Sequence, residues 1–343
     1  MTVRRRHTTP VVAALGTLLA ASACGVADGV RTATPAPSTA GPATARVSPP
    51  ADPAMASAPY LYLGGDNPPD PTAVMRATGV RWFTLAFVLS RGRCDPQWDG
   101  TRPLVGGADQ GAITAIRDAG GDVIASFGGK DGPWLEESCG TPGQLAAAYQ
   151  RVIDAYRLKA IDIDVEGTVY DSPVLQQRII DALKIVKAAD PGLTVDVTFP
   201  IAASGPDSTM VNRAAAAGLP VDGWTAMPFD MDAAGQNMGN LTQQLIDRLA
   251  TVVAAAYRYS QEQAFRHVGI SSMNGITDAH ETVTEADFRA MLAYARRRHL
   301  ARLTFWSINR DRSCAAGVSA GDTCSGIRQS DWAFTRIMAG YRA

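Results

Sequence analysis

The sequence predicts one (β/α)8 barrel of the TIM type, preceded by an export segment and an unstructured tether. From residue 59 onward, eight short apolar runs alternate with helix-length stretches, the order expected of a parallel sheet covered by helices. The span 58–343 suits one large α/β barrel. Apolar residues make up 46 % of the chain and charged ones 19 %, a balance that can bury a sizeable core. An open, doubly wound sheet fits the alternation too, but the count of eight favours closure. The net charge of −1, with no basic tract beyond the first few residues, gives nucleic-acid binding no electrostatic support.

The N-terminus reads as a targeting segment over residues 1–24. Arg4, Arg5 and Arg6 form a positive start, and Val11 to Ala21 form an apolar run too short to be a comfortable membrane span. Ala21-Ser22-Ala23-Cys24 follows. Small residues before a cysteine resemble a bacterial lipobox, although leucine is usual where Ala21 stands. Cys24 is therefore expected to be lipidated and to become the mature N-terminus, the alternative being plain cleavage. The protein is expected outside the cell, exported and anchored to the cell membrane through Cys24. Residues 25–57 are rich in Ala, Pro, Thr and Ser without apolar periodicity. Such a segment cannot offset its ordering entropy and reads as a disordered tether.

The barrel domain is expected over 58–343. Its strand segments are 59–64, 81–88, 122–127, 160–166, 194–199, 222–229, 266–272 and 302–308. Helical stretches between them include 109–119, 141–157, 172–189, 240–259 and 284–299. The second of these has Thr141 as cap and Pro142 in its first turn. In a barrel, chemistry belongs at the C-terminal ends of the strands.

With Cys24 assigned to the export segment, four cysteines remain, enough for two disulfides in an exported protein. Cys314 and Cys324 lie close in one loop and are expected to pair. Cys94 and Cys139 follow neighbouring strands and are expected to bridge adjacent loops.

The strongest chemical signal is Ala160-Ile-Asp-Ile-Asp-Val-Glu166. On a strand, period two puts Asp162, Asp164 and Glu166 on one face and the aliphatic residues on the other. In a barrel the aliphatic face meets the helices, so the acids point inward. Three like charges buried in a row cannot all be ionised cheaply. Repulsion should keep a proton on at least one, and Glu166, the outermost, is placed to donate it as a general acid. An exposed edge strand or a divalent-metal site are the competing readings. Against the first stand the pure Ile/Val second face and Gly167; the spacing also lacks the twelve-residue pattern of an EF-hand.

These residues carry a resemblance. Asp162-Ile-Asp164-Val-Glu166 resembles the Asp-x-Asp-x-Glu signature on the fourth strand of family 18 glycoside hydrolases, the chitinases and related endo-β-N-acetylglucosaminidases. Ser126-Phe127-Gly128-Gly129 is similar to that family's Ser-x-Gly-Gly on the third strand. Met227-Pro228-Phe229-Asp230 is similar to Met-x-Tyr-Asp on the sixth, and Trp306 stands where the family keeps a tryptophan on the eighth. The motifs occur in family order, and the nearest likeness is to exported bacterial members with paired cysteines near the second, third and eighth strands.

The resemblance implies retaining hydrolysis of β-1,4-linked N-acetylglucosamine polymers or oligomers without an enzyme nucleophile, an exception to the two-carboxylate scheme. The substrate's 2-acetamido carbonyl attacks the anomeric carbon while Glu166 protonates the leaving oxygen and later acts as base. Asp164 orients the acetamido group and stabilises the oxazolinium ion; Asp162 shares the proton and tunes the other two. Asp230, Met227, Phe229 and Trp306 are the implied substrate contacts, ordinary core packing being the competing role for Met227, Phe229 and Trp306. No metal or cofactor is implied, and a monomer is expected.

Two positions depart from the family pattern. Lys159 replaces an aspartate at the start of the fourth strand, where a structural consequence is expected. Phe229 replaces a tyrosine whose hydroxyl helps hold the acetamido group, at a cost of roughly 1–3 kcal/mol in transition-state binding. An endo-β-N-acetylglucosaminidase acting on glycans or peptidoglycan is the nearest rival. A non-catalytic chitooligosaccharide-binding protein is the rival from another class, and the retained Glu166 argues against it.

Overall fold

The computed structural model describes residues 52–343; the export segment 1–24, including Cys24, and the tether up to residue 51 lie outside the described residues. The eight expected strands all form: β1 (Tyr60–Tyr62), β2 (Trp82–Ser90), β3 (Asp122–Gly128), β4 (Ala160–Asp164), β5 (Thr194–Pro200), β6 (Gly223–Met227), β7 (Val268–Met273) and β8 (Arg302–Trp306). They pair in sequence order as a parallel ladder from β1 to β8. A short antiparallel strand, Pro96–Trp98, folds back on the end of β2. Across the seam between β8 and β1, the Thr304 hydroxyl donates to the Ala58 carbonyl at 2.6 Å. Asn309 exchanges two hydrogen bonds with the Tyr62 backbone, at 3.0 and 2.8 Å. The result is a nearly closed eight-stranded barrel.

Helices α1 (Pro71–Thr78), α2 (Ala108–Asp118), α3 (Pro142–Tyr156), α4 (Pro173–Ala189), α5 (Thr209–Ala216), α6 (Met238–Tyr257), α7 (Glu285–Arg298) and α8 (Ala333–Met338) follow the successive strands. Strands of a sheet covered on its outer face and filled on its inner one are apolar throughout; β3 is buried at all seven positions. Ile161, Ile163 and Val165 join Tyr149, Val152, Ile179 and Leu183 in one core layer between sheet and helices. Thr141 caps α3 in a reciprocal box with Gln144. Helices α1, α5 and α8 lie outside the helical stretches named from the sequence. At eight, eight and six residues, they are too short to display a 3.6-residue period.

The boundary expected between tether and barrel lies too late. Residues Pro53–Ser57, read as the end of the tether, form a turn of 3-10 helix with Ala54, Ala56 and Ser57 buried. Asp52 caps it and accepts a hydrogen bond from the Trp82 indole at 2.9 Å. The alanines that made this stretch look featureless fit there because they are small. Both expected disulfides form: Cys94–Cys139 joins the loops after β2 and β3, and Cys314–Cys324 closes a turn after β8.

Candidate active site

The barrel interior is polar where the strand period predicts it. Asp162 is fully buried and accepts four hydrogen bonds from four other strands. The Thr198 hydroxyl and the Arg302 guanidinium donate to Oδ1 at 2.7 and 2.6 Å. The Tyr60 and Ser126 hydroxyls donate to Oδ2 at 2.7 and 2.6 Å. Donors from β1, β3, β5 and β8 can converge on one side chain of β4 only inside the barrel. Four donors match the acceptor capacity of a carboxylate. Asp162 is thus engaged on both oxygens by the barrel wall.

Arg302 sits below it, 1 % exposed, and also approaches Asp196 at 3.4 Å and donates to the Thr84 hydroxyl at 2.8 Å. Burial pushes the Asp196 carboxyl up to about 7, with Arg302 pulling the other way. This cation was missed in the sequence, although Arg302, Thr304 and Trp306 share the inward register of β8 just as Asp196 and Thr198 share that of β5.

One residue pair further up, Asp164 is buried and its Oδ1 has no hydrogen-bond partner. Burial, then the charges of Glu166 and Asp162, raise its carboxyl well above the usual range, against the pull of Arg302. Glu166 is half-buried at the open end of β4, where Gly167 begins a short helix to Asp171. Its carboxyl is pushed up to about 7 by burial; Lys130 lowers it, and Asp230 and Asp131 raise it. Glu166 therefore carries a proton readily and still reaches solvent.

The glycines of Ser126-Phe127-Gly128-Gly129 have a physical reason. Gly128 has φ 104°, and a side chain there would collide with the Asp164 backbone carbonyl. A side chain at Gly129 would press the Phe87 ring, and the Gly129 N–H donates to the Asp164 carbonyl at 2.9 Å. The two residues let the end of β3 lie tightly against the carboxylate strand on one side and the Phe87 ring of β2 on the other.

Aromatic rings gather beside the acids. Trp306 is half-buried and stacks on Phe87, with centroids 5.6 Å apart and planes 10° apart. Tyr60 and Tyr62 lie at 5.9 and 6.1 Å from it. On β6, Trp224 and Ala226 join the outer core layer while Met227, 5 % exposed, does not; Met227 thus has the inward register, with Phe229 next and partly exposed. Asp230 is exposed at the strand's tip and accepts from the Ala279 N–H at 2.8 Å. Trp98 is buried under the loop after β2, whereas Trp134 leans on Gly167 beside Glu166. Lys159 sits at the far end of β4, paired with Asp122 at 2.9 Å.

No protein-family model matches the chain. It is 29 % identical over 307 residues to a probable bifunctional chitinase/lysozyme of Escherichia coli (strain K12), covering 83 % of this chain and 34 % of that protein. It is 29 % identical over 279 residues to endochitinase 11 of Metarhizium anisopliae, covering 75 % of this chain and 53 % of that one. The chain thus spans about one third and about half the length of these relatives. It is also similar to crystal structures of catalytic-site mutants of active domain 2 of a thermostable chitinase from Pyrococcus furiosus, complexed with chito-oligosaccharides. That similarity has a TM-score of 0.75 at 26 % identity, covering 83 % of this chain and 96 % of that one. The chain is thus similar to chitinases both in sequence and in fold. The motifs that carry the resemblance to family 18 lie on strands three, four, six and eight of one barrel.

Proposed function

We propose that the protein hydrolyses β-1,4-linked N-acetylglucosamine chains with retention, through participation of the substrate's own acetamido group. The observation that carries this reading is the pairing of a proton-holding Glu166 with a buried Asp164 whose Oδ1 is unpartnered. Glu166 donates its proton to the leaving glycosidic oxygen as the acetamido carbonyl attacks the anomeric carbon from the other face. Asp164 accepts the acetamido N–H and offsets the positive charge of the oxazolinium ion. Glu166, now a carboxylate, takes a proton from the water that opens the ring. Trp306, with Phe87 behind it, gives the sugar an apolar floor, and Asp230, Met227 and Phe229 line its side. Chito-oligosaccharide bound to the Pyrococcus furiosus relative supports this substrate class.

A second reading within the same chemistry is cleavage of peptidoglycan glycan strands, favoured by the relative named both chitinase and lysozyme. In both readings the protein is exported and anchored through a lipid on Cys24, acting as a monomer at the cell surface. Purified protein is expected to release reducing ends from N-acetylchitooligosaccharides, and Glu166→Gln is expected to stop this while leaving the melting temperature at or above that of the parent. Binding without turnover by the parent protein would instead mark a sugar-binding protein on a hydrolase scaffold. Release of sugar only from peptidoglycan would select the second reading.

A further inference from the structure

The loop from β6 to α6 carries Asp230 but has little of its own to hold it still. Asp230 and Asp232 are exposed and have left-handed backbone conformations, φ 54° and 56°, which residues other than glycine adopt rarely. Its fastening comes from the hairpin after β7, built on Gly275–Ile276 and Thr282–Val283. Glu281 of that hairpin is fully buried, and its carboxylate accepts the N–H groups of Asp230, Met231 and Ala233 at 3.1, 2.7 and 3.2 Å. The Thr277 hydroxyl also donates to it. In the other direction, the Asp230 carboxylate accepts the Ala279 N–H of the same hairpin at 2.8 Å.

We propose that Glu281 is a positioning residue: it locks the loop after β6 onto the hairpin after β7 and thereby holds Asp230 beside Glu166. A buried carboxylate is costly unless its oxygens are satisfied, and here the loop backbone supplies most of the donors. The loop and the acid therefore stabilise each other. Burial pushes the Glu281 carboxyl up, but the Thr277 hydroxyl and three backbone N–H groups outweigh it and hold the group below its usual range. The hairpin reaches a third loop as well. Its Asp278 pairs with Lys130, after β3, at 2.8 Å.

The charges around Glu166 are Lys130 and Asp131 from the loop after β3, Asp164 on its own strand, and Asp230 from the loop after β6. Asp278 of the hairpin neutralises Lys130 in part. Releasing Asp230 removes one anion from this set, so Glu166 must lose its proton at lower pH. The catalytic consequence rests on the family 18 reading given above, whereas the geometric one does not.

The test is a carboxyl 13C NMR titration of Glu166 in the parent protein, Glu281→Gln, Asp230→Asn and the double variant. The Glu281→Gln amide turns an N–H donor toward backbone donors and so breaks part of the clamp. Glu281→Gln and Asp230→Asn are each expected to lower the Glu166 midpoint, and the double variant no further than Asp230→Asn alone. With chito-oligosaccharide, Glu281→Gln should raise KM more than it lowers kcat, with kcat/KM falling up to roughly 100-fold and partly rescued in Glu281→Asp. Thr277→Val, which keeps the charge and removes one donor, should shift the midpoint in the same direction by less. A lowered melting temperature with the Glu166 midpoint unmoved in Glu281→Gln overturns the proposal, as does an unmoved midpoint in Thr277→Val should Glu281→Gln not fold. Absence of turnover in the parent protein overturns the hydrolase reading alone, because the titration needs no substrate.

Discussion

Arg302→Met tests the account of the barrel interior most directly. Arg302 is the cation bonded to Asp162 at 2.6 Å, it lies 3.4 Å from Asp196, and the side chains of all three are at most 8 % exposed. Methionine matches much of the side chain's apolar volume, so the change mainly deletes a buried charge and leaves two carboxylates without it. Breaking a buried pair from one side costs about 3–5 kcal/mol. Asp162 keeps three hydroxyl donors, which places the expected loss toward the lower end. For a domain of this size each kcal/mol moves the melting temperature by roughly 2 °C, so a drop of about 6–8 °C is expected at pH 8. The loss should shrink at pH 5, because Asp196, already pushed up to about 7, takes a proton when the cation is gone. Asp162→Asn combined with Arg302→Met should cost less than the two single changes summed. Thermal melts followed by circular dichroism at both pH values give all these quantities. A melting temperature within about 2 °C of the parent at pH 8, or costs that simply add, would show that the ion pair does not organise the interior as described.

Glu166→Gln should change stability in a pH-dependent way. Folded Glu166 holds its proton to about 7 and the unfolded side chain to roughly 4, so the parent loses stability as pH rises through that window; the variant should therefore gain in melting temperature at pH 8 and gain less at pH 5. Lys130→Met removes the cation that lowers the Glu166 carboxyl. The alkaline limb of kcat/KM, expected near pH 7 in the parent, should move upward, and a downward move would contradict the assigned electrostatics. Replacing Cys94 and Cys139 by alanine opens a loop of 45 residues, for which chain entropy gives a loss of about 4 kcal/mol, read as a lower urea midpoint with a slope equal to or steeper than the parent's, because the unlinked unfolded chain exposes more surface.

The barrel and its acids were legible because both rest on strand period. Alternation on β4 separates Asp162, Asp164 and Glu166 from Ile161, Ile163 and Val165, and the same rule places Met227 apart from Trp224 and Ala226. Applied to every strand, it would also have found Tyr60, Thr198, Asp196 and Arg302, whose polar or charged side chains share the inward register. Two other features leave no comparable trace. Glu281 lies in a loop, and its partners are backbone groups about fifty residues away, so no spacing announces it. The turn at Pro53–Ser57 is stabilised by the fit of small side chains and one indole bond, while its composition matches that of the tether before it.

The roles of the three acids follow from what each one touches, since the side chains are nearly alike and lie on one strand. Asp162 is surrounded by donors and a buried cation, so its oxygens are committed to holding five strands in register. Asp164 stands one layer higher, beyond hydroxyl reach, with burial and two neighbouring anions acting against its charge. That makes it the member most responsive to an arriving N–H or a developing positive charge, because either relieves a cost already present in the free protein. Glu166 occupies the only one of the three positions with substantial access to solvent, where a proton can be exchanged between turnovers. Exchanging the residues at 164 and 166 would keep two carboxylates on the strand, but the shorter Asp at the mouth would withdraw the acid from the glycosidic oxygen. The longer Glu below it would have to fit where the Asp164 side chain is already buried. The proposed glycoside chemistry rests on the order along the strand as much as on the number of acids.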